Sequence, residues 1–169
     1  MARQLHLNLN FLNAGTFAAA WRWPQSTPAD FYDIDYWVKT AQLAERATFD
    51  AVFLADFPAL SDNPEYRPFQ SLEPTVVLAA IAAATTRIGL IGTVSSSYNE
   101  PYNIARRFAS LDHVSRGRAG INIVTTADPA AARNFGADVR PSHASRYEKG
   151  AEFAEVIGSL WDSWEDDAI

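Results

Sequence analysis

Residues 98–136 read YNEPYNIARRFASLDHVSRGRAGINIVTTADPAAARNFG, and this run restricts the fold more than any other part of the chain. Pro101 stands where a helix opens, Ile104, Phe108 and Leu111 recur at three- and four-residue spacing, and Gly117 supplies the stop. Ala119 to Val124 is then a short apolar strand that leads straight into a polar segment. A helix, a tight turn and a buried strand in that order make one αβ step of an α/β fold. Such folds keep ligand groups where the strands give way to loops at their carboxyl ends.

The same rhythm runs through the rest of the sequence. Leu5, Leu7, Leu9 and Phe11 alternate with His6, Asn8 and Asn10, as a strand requires. Thr27-Pro28-Ala29-Asp30 has the form of a helix start, with Phe31, Ile34, Val38, Ala41 and Ala44 following on one face. Ala51 to Ala55 is continuously apolar, the pattern of a strand covered on both faces. Residues 57–72 read as a loop, Glu73-Pro74 opens an alanine-rich helix to about Thr85, and Ile88 to Val94 is a third strand. After Val124, residues 125–144 read as a long loop. Ser145-Arg146-Tyr147-Glu148 then has capping-box form, before a helix expected to bury Ala154, Ile157, Leu160, Trp161 and Trp164. The order βαβαβαβα implies a parallel sheet with right-handed crossovers. Half of a (β/α)8 TIM barrel and a small open doubly wound sheet both satisfy it. A complete barrel takes about 250 residues, so these 169 residues would supply the first four of its eight βα units.

Composition removes several function classes. The net charge is −6 and no Lys/Arg stripe occurs, which argues against a nucleic-acid surface. With no cysteine, disulfides, thiolate metal sites and a cysteine nucleophile are excluded. Asparagines at 8, 10 and 13 interrupt the apolar residues near the N-terminus, unlike a signal peptide. The longest apolar run, Val76 to Ala84, is far short of the ~20 residues that span a bilayer. The expectation is a cytoplasmic protein without a membrane or nucleic-acid partner.

Strand ends nominate the candidate site residues: Asn10 and Asn13, Asp56, Thr93 to Tyr98, and Asn122 to Thr126. Each has a structural reading beside the functional one. Asp56 would serve equally as a turn residue, Thr93 as a β-former, and Ser95 to Ser97 as loop polarity. His143 and Tyr147, four apart across the start of the last helix, could face one side of an N-terminal turn that favours anions, with Arg146 adding charge. A solvated cap is the alternative. His6 and His113 read as structural. No His/Asp/Glu spacing suggests a metal, GLIGTV and GINIV lack the GxGxxG spacing, and no GxSxG elbow occurs.

The wording of several segments is also specific. FLADF around Asp56, LEPTVVLAAIAAATTRIGLIGTV, the 98–136 run, HASRYEKGAEF and LWDSWEDDA stand in order along almost the whole chain. Together they resemble the nitrilotriacetate and dibenzothiophene-sulfone monooxygenases (component A), a branch of the bacterial-luciferase-like flavin monooxygenase superfamily. The resemblance implies a TIM barrel that uses reduced FMN, supplied by a separate NAD(P)H:flavin reductase, with O2 as co-substrate. It implies insertion of one oxygen atom into a small organic substrate such as an aminopolycarboxylate or organosulfur compound. The flavin-contacting positions it matches are Asp56, Thr93, His143 and Tyr147, with Asn122 and Thr126 weaker. The family pattern WNVVTS appears here as INIVTT, with Ile121 for the tryptophan and Thr126 for the serine. No catalytic residue is assigned.

Family members run on for a couple of hundred residues beyond the equivalent of Trp164. Residues 1–169 are therefore expected to form the N-terminal half of a single barrel domain, with no second domain and a homo-oligomer at full length. Little activity is expected of the 169 residues alone. An inactive fragment acting as an assembly partner and a deazaflavin-dependent oxidoreductase on the same fold are the alternatives. A half-barrel would leave two strand edges open and wet one of Leu7 or Leu9, Val52 or Leu54, and Ile121 or Ile123. Association or aggregation, with weak FMN binding, is the expected behaviour.

Overall fold

The computed structural model describes residues 4–12, 17, 19–60, 72–136, 141–165 and 167–168. Four strands, β1 (Asn8–Phe11), β2 (Ala51–Leu54), β3 (Gly89–Ser95) and β4 (Ala119–Val124), form one parallel sheet in the order β1-β2-β3-β4. The crossovers carry α1 (Ile34–Arg46), α2 (Pro74–Ala84) and α3 (Pro101–Ser115); α4 (Pro129–Asn134) and α5 (His143–Trp161) follow β4. Strand order equal to chain order is the arrangement of a barrel half. A doubly wound sheet reverses at a switch point, and this one does not.

Alternation along the strands assigns the two faces. Val52, Leu54 and Leu90 are fully buried, and Val94 nearly so, against the helices. Gly92 belongs to the same row: a Cβ there would lie 2.9 Å from Leu78 Cδ1 on α2 and 3.3 Å from Phe108 Cζ on α3. The register sets Asn10 beside Phe53, Phe53 beside Ile91, and Thr93 beside Asn122 on the opposite face. This corrects one expectation. Val52 and Leu54 are not wetted, because the residues facing the barrel axis are one position along from them, and a one-residue step changes faces. Leu7 is 51% exposed, Leu9 is half-buried, and every residue of β4 is half-buried.

Local chemistry explains the element boundaries. Thr27 and Pro28 start only a 3-10 turn, Pro28–Tyr32; α1 begins afresh at Asp33, whose carboxylate accepts the Asp35 N–H at 2.9 Å. Trp37, absent from the expected face, is the largest buried side chain of α1. Its ring lies 4.9 Å from that of Phe11 and its Nε1 donates to Phe31 O at 3.1 Å. Helix α3 stops at Arg116, in left-handed geometry, and Gly117 at φ +81°, with the Gly117 N–H returning to Asp112 O.

The last helix departs from expectation at both ends. It begins at His143 with Ser142, not Ser145, as cap: Ser142 Oγ accepts the Ser145 N–H at 3.2 Å. Its buried side chains are Arg146, Phe153 and Ile157, whereas Ala154 is exposed and Trp161 and Trp164 are 40% and 65% exposed. The reason is that α5 packs chiefly on α3, through contacts such as Trp161 Nε1 to Ala105 O at 3.0 Å, and more lightly on β4. The segment read as one long loop after β4 also contains α4, capped by Asp128. No helix among the described residues is long and apolar enough to cross a membrane.

Candidate functional site

The carboxyl ends of the strands carry the predicted residues in three small groups. Asp56 lies two residues beyond β2 and lines a cavity of about 270 Å³ with Glu73, Ser95, Tyr98, Arg107 and Phe135. Burial first, and the charge of Glu73 second, raise its pKa above the usual carboxylate value, while a backbone hydrogen bond from Phe57 pulls the other way. Glu73 caps α2, accepting the Val76 N–H at 2.9 Å, and pairs with Arg107 at 3.8 Å. Tyr98 closes one side of the cavity, its ring stacked on Phe135 at 4.7 Å with 4° between planes.

Thr93 forms the second group. It is 4% exposed on the barrel face of β3, and its hydroxyl oxygen accepts from Asn122 Nδ2 at 3.0 Å. One layer nearer the rim, the Thr126 and Ser95 hydroxyls share a hydrogen bond at 2.7 Å. Ser95 thus touches both the Asp56 cavity and the Thr126 hydroxyl. Thr93 thereby keeps its proton for a further acceptor, and the Ser95–Thr126 pair keeps one proton between its two hydroxyls.

The third group is the α5 N-terminus. The rings of His143 and Tyr147 are 4.5 Å apart, and both residues are exposed. Arg146, between them in sequence, turns inward and is only 6% exposed. Its Nε and Nη1 are buried without a hydrogen-bond partner, as are Ser97 Oγ and Tyr98 Oη.

The structure therefore joins Thr93 to Asn122, Thr126 to Ser95, and His143 to Tyr147, and it places Asp56 in a cavity whose lining includes none of Thr93, His143 and Tyr147. Asn10 lies within β1, one residue before its end, on the barrel face, and Asn13 lies outside the described residues. Sequence reasoning missed Ser95 as the link and the stacked Tyr98–Phe135 pair. Glu73 was read only as a helix opener. An acid preceding a proline-started helix beside a second strand-end acid was the available signal for it. Among the described residues, no group of three or more His, Asp or Glu could hold a metal ion.

A family model described as luciferase-like monooxygenase matches residues 12–167. Nitrilotriacetate monooxygenase component A of Aminobacter aminovorans is 41% identical over 178 residues, covering 98% of this chain and 39% of its own. The structure of EDTA monooxygenase from Chelativorans sp. BNC1 superposes with a TM-score of 0.90 at 40% identity, over 99% of this chain and 41% of that one. Riboflavin lyase, solved with modified FMN and riboflavin, superposes with a TM-score of 0.88 at 37% identity, over 99% and 40%. The chain thus spans about 40% of the length of these relatives.

Proposed function

Because the chain belongs to the luciferase-like monooxygenase family, we propose that it supplies the first half of the flavin site of a two-component, FMNH2-dependent monooxygenase. The substrates are small organic molecules of the aminopolycarboxylate or organosulfur class, and a separate NAD(P)H:flavin reductase delivers the reduced cofactor. The observation that carries this reading is the set of hydroxyl, amide and carboxyl groups on the carboxyl rim of a parallel sheet, the end at which barrel folds bind ligands.

The donor set suits FMN. A helix N-terminus with an imidazole and a phenol beside it favours a phosphate. The Thr93 hydroxyl, accepting from Asn122, keeps its proton to donate, and the Ser95–Thr126 hydroxyl pair has one proton left to donate beyond itself. Asp56, held toward its protonated form by burial and Glu73, can donate to a flavin carbonyl or nitrogen as well as accept. Bound reduced flavin would supply the electrons that activate O2 for transfer of one oxygen atom. The residues of this chain fix its orientation and exclude water.

A chimaera carrying residues 1–169 in place of the matching segment of EDTA monooxygenase provides the test. It is expected to consume oxygen and convert EDTA only with reduced FMN, and to lose FMN affinity at least tenfold on Asp56→Ala or Thr93→Val. A folded chimaera that neither binds FMN nor oxidises EDTA would overturn the reading. So would oxidation of NADH by the chimaera without a reductase.

A further inference from the structure

A second hollow lies beside the cavity at Asp56. It measures about 680 Å³ and runs between α2 and α3, lined by residues that include Glu73, Val76, Arg107, Ser110 and Val114. Val76 and Val114 are exposed, which places this hollow on the solvent side of the helix layer. The Asp56 cavity and the outer hollow share Glu73 and Arg107 and no other described residue. That ion pair is therefore the wall common to both. Neither hollow is lined by the edge strands β1 and β4. The wall itself belongs to α2 and α3, the helices that follow β2 and β3.

The two halves of the wall are held unequally. One carboxylate oxygen of Glu73 accepts the Val76 N–H at 2.9 Å and the Thr75 hydroxyl at 2.6 Å. Its other oxygen meets Arg107 Nη1 at 3.8 Å, well beyond the length of a charge-assisted hydrogen bond. Both side chains are nearly half exposed, and such a pair is held weakly. Arg107 can swing aside while Glu73 stays on its helix cap. Behind them the cavity of about 270 Å³ has room for several waters. Its carboxylate, hydroxyl and amide groups, among them Ser95 and Asn99, supply the polar partners that ordered water needs. A carboxyl group thus stands at each end of a space that water can fill. A proton taken up by Glu73 on the outer side can pass through that water to Asp56. Glu73 then returns to its carboxylate form, so one proton has crossed and the relay is unchanged.

We propose that Glu73 and Arg107 form the gate of a hydrated passage through the helix layer, along which Asp56 exchanges protons with solvent from behind the ligand mouth. Glu73 is the relay carboxylate and Arg107 its movable partner. The use of the passage rests on the flavin reading: once ligands fill the mouth and exclude water, Asp56 can recover a proton only from its other side. The existence of the passage rests on the two hollows alone.

The sequence has no cysteine, so a single thiol can report on the cavity. Val94 lines it and is 3% exposed. In the 169-residue chain, Val94→Cys should react with methyl methanethiosulfonate. Arg107→Ala should speed that reaction roughly fivefold or more, since labelling follows local opening. Ala41, fully buried on α1, lines neither hollow. Ala41→Cys therefore reports general loosening of the fold and should not be accelerated. Equal labelling of Val94→Cys with and without Arg107, or equal acceleration at Ala41→Cys, would overturn the proposal. Asn99→Cys, on the same cavity wall, takes the place of Val94→Cys if that variant does not fold.

The relay is tested in the chimaera with EDTA monooxygenase. Glu73→Gln keeps an oxygen to cap α2 but cannot pass a proton on. At low buffer concentration its oxygen consumption should fall about tenfold, with FMN affinity unchanged. Formate, an acid small enough for the outer hollow, should restore most of the rate. A Glu73→Gln chimaera that keeps the parent rate, or a loss that formate does not relieve, would overturn the relay. A chimaera inactive in every form would instead sink the flavin reading, and thiol labelling would then decide the passage by itself.

Discussion

Two arginines, one at each end of the sheet, show how differently the ends are built. At the amino end the Arg118 guanidinium donates to Ser115 O at 2.6 Å, Ile88 O at 2.8 Å, Ala82 O at 2.9 Å, and Thr85 O and Oγ1 at 3.1 and 3.0 Å. It ties the ends of α2 and α3 to the starts of β3 and β4. Nearby, Glu45 accepts the backbone N–H groups of Thr86, Arg87 and Ile88, and Asp50 accepts that of Leu7. At the carboxyl end Arg146 is more deeply buried, yet two of its nitrogens have no partner. With Ser97 Oγ and Tyr98 Oη these are the buried side-chain polar atoms without partners among the described residues. One end is closed by satisfied polar contacts, and the other holds polar groups uncommitted. Barrel folds separate stability from ligand binding in the same way.

Replacing each arginine is the sharpest way to break the comparison. Arg118→Met should cost about 3–5 kcal/mol in urea unfolding, because several buried carbonyls lose their donor together. Arg118→Lys should recover only part of this, since an ammonium lacks the planar fork. Arg146→Met should go the other way, with stability unchanged or raised by about 1–3 kcal/mol, because it removes a buried charge that nothing compensates. Equal losses at both positions would show that Arg146 is also structural and erase the contrast.

The acids allow finer tests. Glu45→Ala should cost about 1–2 kcal/mol at neutral pH. Burial raises the Glu45 pKa, but the N–H bonds from Arg87, Ile88 and Thr86 outweigh it and the net shift is downward. Its contribution is therefore complete above the unfolded-state value and lost as pH falls through the lowered folded value, so the variant and parent unfolding curves should converge in acid. Asp56 has the opposite sign. Its folded pKa is raised, so stability grows as pH falls through that value, and the ionised form weakens the fold above it. Asp56→Asn should raise stability at neutral pH by about 0.5–1 kcal/mol. Thermal unfolding across pH should show the gain fading in acid.

Most of the fold was legible because it depends on local pattern. The apolar faces of α3 and the strand at Ala119–Val124 need only periodicity and a glycine stop, and both fall where the spacing puts them. What was not legible depends on contacts between distant segments. Trp37 is buried because Phe11 and Phe31 come to it, and Arg118 acts on residues 30–36 positions away. Trp161 and Trp164 fit a helical face but lie exposed, since apolar spacing marks a face without saying what meets it. At the site, Asp56 and Thr93 were nominated by position after a strand and by family wording. That they stand in separate groups depends on which side chains line the cavity: Val94 and Ser95 border Asp56, whereas Thr93, one turn of the pleat below Ser95, bonds Asn122.

Gly92 gives the outer layer a hold on the mouth. The two helices seated on it, α2 through Leu78 and α3 through Phe108, carry Glu73 as the cap of α2 and Arg107 next to Phe108 on α3, the ion pair that borders Asp56. Both helices reach the strand at Gly92, where no side chain stands between them and the sheet. A methyl group at that position would stand 2.9 Å from Leu78 Cδ1 and 3.3 Å from Phe108 Cζ, so one of those side-chain ends would have to shift. The room that Gly92 leaves for Leu78 and Phe108 thus lies on the same side of the sheet as the Glu73–Arg107 pair beside Asp56.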